Sequence, residues 1–249
     1  MTGRVAWITG ASAGIGRAVA LRLMRDGWRI AASARGEEGL RQLEADSNGQ
    51  AHGFALDVGD AAACAAVAAR IEAEFGPIDL VIANAGTHAP TPAEGFDAAT
   101  IRRLVEVNLL GTANMLAAAM PAMIRRRAGR IAVVASVAGY RGLPSAAGYS
   151  ATKAGLIALC EGLKFDLDRH GVAIQVVCPG FVRTPLTDRN RFPMPFLMDA
   201  DVAADRIVRG LAGTRFEIAF PRRLAWPLKL MACLPDRLYF ALMRRATGR

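Results

Sequence analysis

Seven short apolar runs, at residues 4–9, 29–34, 51–56, 80–83, 130–136, 172–178 and 216–220, punctuate the chain, and the stretches between them carry apolar residues at helical spacing. Strand and helix in regular alternation imply an α/β chain with a parallel sheet, covered on both faces by the crossover helices. Gly27 reads as a left-handed stop for the first helix, and Pro121 and Pro179 fall where a helical or strand pattern should bend or end. No internal repeat, low-complexity segment or linker interrupts the rhythm before about residue 185.

Two regions break it. Residues 184–199, TPLTDRNRFPMPFLMD, hold three prolines around an apolar cluster of Phe192, Met194, Phe196, Leu197 and Met198, which suits a mobile apolar lid better than a core helix. Beyond residue 220 the chain turns basic and apolar, with Pro221, Pro227 and Pro235, and each later proline can start a short helix.

A length of 249 residues with 53% hydrophobic composition can bury one sizeable core, and excludes a disordered or fibrous chain. Cys64, Cys160, Cys178 and Cys233 are too far apart for a CxxC pair, so they read as small apolar residues in a reducing, cytoplasmic compartment. No secretory leader is expected, and no apolar stretch reaches membrane-span length without a charge or proline. The formal charge of +9 changes this picture only locally. Eight of the 31 basic residues, against Glu217 and Asp236 alone, lie from Arg215 onward, so the body is nearly balanced and carries no nucleic-acid-binding motif.

Candidate chemistry begins at the first strand. RVAWITGASAGIGR, residues 4–17, reads as strand, glycine turn and helix start. Gly10 permits the turn, Gly14 lets backbone approach a pyrophosphate, and Gly16 lets the helix pack on the strand, with helix N–H groups facing the anion. The spacing TGxxxGxG differs from GxGxxG, and a turn that serves packing alone is the competing reading. Tyr149 and Lys153, four apart in YSATK, leave one helix face, and Ser136 ends the fifth strand. Singly, these are an amphipathic helix with a snorkelling lysine and a strand-end cap.

Together with LDV at 56–58, NAG at 84–86, VN at 107–108 and PGFVRT from Pro179, these motifs resemble, in order, those of the short-chain dehydrogenase/reductase family, over roughly residues 3–220. The resemblance implies a single doubly wound Rossmann domain with a seven-stranded parallel sheet. It also implies an oxidoreductase that exchanges hydride between a nicotinamide cofactor and a carbonyl or secondary alcohol. Tyr149 would then be the acid/base, Lys153 would favour its phenolate, Ser136 would hold the substrate oxygen, and Asn108 would hold a water linking Lys153 to solvent. Gly10, Ser12, Gly14, Ile15 and Gly16 would meet the phosphates. Asp57 and Val58 would meet the adenine, and Asn84, Ala85 and Gly86 the ribose. Pro179, Gly180, Val182 and Thr184 would lie at the carboxamide end. Bland readings remain beside these: Asp57 as a turn residue, Asn84 as a strand-end cap, Thr184 as a lid hinge.

The second strand ends in Ala32, Ser33, Ala34 and Arg35, with no ribose-reading acid, so NADP(H) is favoured over NAD(H) unless Arg35 is a solvated loop residue. His52, His88 and His170 lack metal-ligand spacing and are expected to be satisfied or solvated, so no metal is invoked. Glu37 and Glu38 suit a helix start.

The resemblance lapses at the C-terminus, which divides the chain into a catalytic domain, 1–220 with a lid at 184–200, and an extension, 221–249. The extension is expected to roof the substrate pocket or form a subunit contact; contact with the inner membrane face is the alternative. The apolar lid and tail point to a hydrophobic, lipid-like substrate. The resemblance also implies a homodimer or homotetramer, through helical segments near 99–127 and 148–169. The rival class is a non-catalytic NADP(H)-binding sensor, against which the intact Asn108, Ser136, Tyr149 and Lys153 set argues.

Overall fold

A computed structural model describes residues 3–189 and 193–247. Seven strands form one parallel sheet: β1 Val5–Thr9, β2 Arg29–Ala34, β3 Ala51–Ala55, β4 Ile78–Ala83, β5 Arg130–Val134, β6 Ala173–Pro179 and β7 Glu217–Phe220. The order is β3-β2-β1-β4-β5-β6-β7, so the chain starts in the middle, builds one edge, then crosses to the other side of β1. That reversal opens a crevice beyond the C-terminal ends of β1 and β4, the place where open α/β sheets bind ligands.

The strands are apolar on both sides because both sides are covered. Trp7 faces a layer built by α3 (Ala61–Phe75), α5 (Gly111–Arg126) and α6 (Ala147–Arg169), whereas Ala6 and Ile8 face α1 (Gly14–Arg25), α2 (Glu37–Ala45) and α7 (Ala200–Leu211). The fully buried Trp7 indole still needs an acceptor, and its Nε1 donates to Ser33 Oγ at 3.0 Å. The first helix stops as expected: Gly27 follows the Asp26 cap at φ +79°. Glu37 and Glu38 occupy the first turn of α2.

Of the prolines, Pro121, expected to bend or end its helix, ends nothing, since α5 runs on to Arg126 with the proline inside it. It sits on the exposed side, while Ala119, Ala122 and Met123 hold the helix on the core. Pro227 starts nothing: α8 (Arg222–Ala232) begins after Pro221 and contains it, and Pro235 alone of the later prolines precedes a new helix, α9 (Asp236–Thr247). Strand ends shift by a residue or two; β4 starts at Ile78 and β5 stops at Val134.

α4 (Ala98–Leu104) runs through a π-helical turn, Val105–Leu110, into α5. The whole of Ala98–Arg126 is long and apolar enough to cross a membrane, yet here it packs on the sheet and on α3. Of the lid segment, Phe192 lies outside the described residues; Val182 pairs with Met198 across its base, and Phe196 is half exposed.

Candidate active site

A cleft of about 450 Å³ opens at the switch point. Its walls are the β1–α1 turn (Gly10, Ser12, Gly14, Ile15), the end of β2 (Ser33 to Gly36), the end of β3 (Leu56, Asp57, Val58), the end of β4 (Asn84 to Thr87), and Arg103, Val107, Thr184, Pro185 and Leu186. Backbone closeness shapes it. Gly10 has φ +65°, and a Cβ on Gly16 would sit 2.3 Å from the Gly10 carbonyl oxygen, so α1 reaches the turn only because residue 16 has no side chain. No side chain caps the N-terminus of α1, whose N–H groups open toward the cleft with its partial positive charge. The glycine cradle and that helix end fit the pyrophosphate of a dinucleotide.

Asn84 fastens the two central strands where the cleft begins. Its Nδ2 donates to the carbonyls of Thr9 at 3.0 Å and Gly10 at 3.3 Å, and Thr9 Oγ1 accepts the N–H groups of Asn84 and Ala85. Asp57 Oδ1 accepts the Gly59 N–H at 2.9 Å, the turn role, while Asp57 also lines the cleft.

Beside this cleft lie the candidate reacting groups. Tyr149 and Lys153 stand one turn apart near the start of α6, and Ser136 follows β5 as the cap of a short 3₁₀ turn, Val137–Gly139. A Cβ on Gly139 would lie 2.7 Å from the backbone of Lys153, so this glycine lets the Ser136 turn press onto α6. Burial pushes the Tyr149 phenol above its ordinary pKa, against a hydrogen bond with Ser136 that lowers it. Lys153 is 4% exposed; its Nζ donates to the Val134 carbonyl at 2.8 Å and lies 5.6 Å from the Tyr149 ring centre. Burial lowers its pKa to about 8.

Asn108 lies in the π-helical turn, and its side chain is a clamp: Oδ1 accepts the Thr87 N–H at 2.7 Å, and Nδ2 donates to the Thr87 carbonyl and to Thr152 Oγ1. Gly86 leaves room between this amide and the ammonium, since a Cβ there would be 3.3 Å from Asn108 Oδ1 and 3.7 Å from Lys153 Nζ.

The family model described as short chain dehydrogenase matches residues 4–193. The chain belongs to that family. It is 39% identical to an uncharacterized oxidoreductase of Myxococcus xanthus, over 98% of each chain. It is 35% identical to the 3-oxoacyl-(acyl-carrier-protein) reductase FabG of Salmonella typhimurium, over 74% of this chain and 76% of that one. Among solved structures, a Burkholderia phymatum short-chain dehydrogenase/reductase in complex with NAD superposes with a TM-score of 0.85, at 26% identity over 92% of each chain. Actinorhodin polyketide ketoreductase with NADPH gives 0.81 at 29% identity, over 90% of this chain and 97% of that one. The fold is thus the Rossmann-like sheet of short-chain dehydrogenases, and relatives include reductases of ketoacyl compounds.

Not every residue expected in this short-chain dehydrogenase site reaches the cleft. Gly16 packs beneath it, and Val182 is buried in the core. Pro179 offers its carbonyl to Ser136 Oγ at 3.4 Å, and Gly180 donates to the Phe220 carbonyl. Thr184 lines the cleft and is also knotted to Thr187, its N–H donating to Thr187 Oγ1 at 3.0 Å, which fits a hinge.

Two residues escape sequence reasoning. Arg103 brings a second guanidinium to the cleft from α4, five positions before Asn108, and no spacing rule marks it. His88 departs from expectation at one nitrogen: its Nδ1 is buried with no hydrogen-bond partner among the described residues, and its ring meets Tyr149 edge to face, centroids 4.9 Å apart. Burial lowers its pKa, so the imidazole beside the phenol is held neutral. Its place four residues after Asn84 is the only signal the chain offers.

The Lys153 shift has a measurable consequence. Its ordinary value of 10.5 falls to about 8 in the fold, so between these values the unfolded chain binds more protons, and stability rises with pH on account of this group. Lys153→Met removes that contribution. The melting temperature of the variant relative to the parent should be flat below about pH 7 and fall by roughly 5 °C between about pH 8 and 10.5. Parallel curves across that window would refute the buried charge.

Proposed function

We propose that the protein is an NADPH-dependent reductase that converts a ketone or aldehyde carbonyl to an alcohol, reversibly, on a hydrophobic substrate. The observation that carries this reading is the Ser136, Tyr149 and Lys153 cluster standing beside a dinucleotide-shaped cleft. The cofactor, when bound, supplies the hydride. The chain supplies the proton and the orientation. Tyr149 gives its phenolic proton to the carbonyl oxygen, Ser136 holds that oxygen by a hydrogen bond, and the Lys153 ammonium stabilises the phenolate left behind. The gap at Gly86, between Asn108 Oδ1 and Lys153 Nζ, suits a water that returns the proton from solvent.

The cofactor assignment rests on charge at the end of β2. Arg35 is exposed on the cleft wall, Arg103 adds a second cation, and Asp57 is the sole carboxylate among the lining residues. A guanidinium pairs with a 2′-phosphate that a carboxylate would repel. We assign Gly10, Ser12, Gly14 and Ile15 to the phosphates, Asp57 and Val58 to the adenine, Asn84, Ala85 and Gly86 to the ribose, and Val182 and Thr184 to the carboxamide, with Pro179 and Gly180 shaping the turn before them.

We take residues 1–220 as the catalytic unit, 184–200 as its lid, and 221–249 as an added roof. Support for the roof is that α8 and α9 dock on the loop leaving Ser136. Arg141 Nη1 donates to the Leu234 carbonyl at 2.7 Å, its guanidinium stacks 4.0 Å over the Tyr239 ring, and Tyr239 donates to the Gly142 carbonyl at 2.6 Å. The free thiols fit a cytoplasmic setting. A cofactor sensor without turnover would not require the proton-handling set to sit together.

Three measurements test the reading. Tyr149→Phe should lower ketone turnover at least about a hundredfold with NADPH affinity nearly unchanged, because the acid is lost and little cofactor contact with it. Near-parental turnover would exclude the mechanism. By fluorescence titration NADPH should bind roughly ten- to a hundredfold more tightly than NADH, and Arg35→Ala should narrow the gap; equal affinities would exclude the preference. Light scattering at micromolar concentration should find a dimer or tetramer, joined through α5 and α6, where Phe165 is 75% exposed; a monomer would contradict it.

A further inference from the structure

α8 has two apolar sides, and only one of them is used. Leu224, Ala225 and Leu228 pack on the core, Leu224 so closely against Gly180 that a Cβ there would meet its Cδ2 at 2.7 Å. Trp226 and Leu230 point the other way, 69% and 70% exposed. Arg222, Trp226 and Leu230 are spaced by four, with Arg223 beside them, so guanidiniums and apolar groups share one outward stripe. α9 exposes apolar residues on both flanks of its inward face. Tyr239 is buried, whereas Leu238, Phe240 and Leu242 are half exposed among Arg237, Arg244 and Arg245.

The charge on these helices is sorted. Lys229 of α8 pairs with Glu217, and Asp236 of α9 pairs with Arg141 from the loop leaving Ser136. Arg222, Arg223, Arg237, Arg244 and Arg245 make no salt bridge among the described residues. A helix with its inner stripe packed, aromatic and aliphatic residues outside and unpaired arginines among them fits the interface of an anionic bilayer, with rings at the boundary and guanidiniums at the phosphates. A second copy fits poorly, because a two-fold contact on this stripe would bring the arginines of one protomer onto those of its partner.

We propose that the outward face of α8 and α9 docks the protein on anionic phospholipid. Since α8 lies against Gly180 and the loop leaving Ser136, docking would place the substrate side of the molecule at the bilayer, within reach of apolar carbonyl compounds dissolved there. The surface stands apart from the reductase assignment, and either can fail alone.

Sedimentation of the full-length protein with sucrose-loaded vesicles tests it. Vesicles of 70% phosphatidylcholine and 30% phosphatidylglycerol should bind the protein at least about tenfold better than phosphatidylcholine alone, and 0.5 M NaCl should largely release it. The Trp226 emission should shift to the blue on binding, and Trp226→Ser should remove the shift. Arg222→Glu with Arg223→Glu should cut partitioning about tenfold or more while sparing NADPH-dependent reduction of a small soluble ketone, which also reports folding; if that pair misfolds, the glutamine pair replaces it. Absence of binding to the anionic vesicles, binding indifferent to salt and to these substitutions, or a change of oligomeric state on Trp226→Ser with Leu230→Ser would overturn the proposal.

Discussion

The Lys153 ammonium, hydrogen-bonded to the carbonyl of Val134, fixes the place of α6 against the end of β5. Buried to 4% exposure, it would cost several kcal/mol if left unpaired, so the helix cannot slide by a turn without losing that bond. Ser136 lies two residues beyond Val134, and Gly139 brings the Ser136 turn onto the backbone of the same lysine. Tyr149 is one helical turn earlier. Three groups from two elements thus share one anchor. Thr152, between tyrosine and lysine on α6, accepts from Asn108, which grips Thr87 in the loop leaving β4. The cleft at the switch point and the corner holding Ser136, Tyr149 and Lys153 are therefore held to the same helix.

Much of this was legible because it repeats at short range. Strand runs, the glycine turn and a tyrosine four residues from a lysine are local patterns, and all seven strands and the face shared by Tyr149 and Lys153 emerge from them. What depended on long-range contact was not. Arg103 reaches the cleft because α4 packs on the π-helical turn and on α6, and His88 meets Tyr149 because Asn108 pins the residue before it. Pro121 gave a two-sided signal, a bend or an end, and the helix continues through it because packing of α5 on the sheet outweighs one missing hydrogen bond. Asn84 shows the reverse case, since the strand-end role and the cleft-lining role turn out to be one placement.

The C-terminal helices were hardest to place, because their pattern carries two amphipathic messages at once. Only the fold shows which apolar stripe of α8 is core, and it does so through Arg141, whose guanidinium takes carbonyls at the end of α8, pairs with Asp236 and stacks on Tyr239. One arginine in the loop after Ser136 satisfies the C-terminal carbonyls of one helix and the first-turn acid of the next. Tyr140 in the same loop donates to Glu217, which also pairs with Lys229 of α8.

This arrangement separates two uses of positive charge. Arg141 and Lys229 are matched to acids and serve cohesion through that pairing. The outward arginines make no salt bridge among the described residues, so their field is not spent there and acts on whatever anionic surface comes near. Because the matched set ties α8 and α9 to the loop carrying Ser136, a force applied to the outer stripe has a covalent and hydrogen-bonded route to the reacting corner. A second route runs from Leu224 of α8 through Gly180 and along the chain to Thr184, which lies against Gly14 of the β1–α1 turn, whereas Arg35 stands at the end of β2 across the sheet. The corner holding Ser136 and Tyr149 and the cleft at the switch point are thus two parts of one candidate site, joined through α6 and through the chain from Gly180 to Thr184.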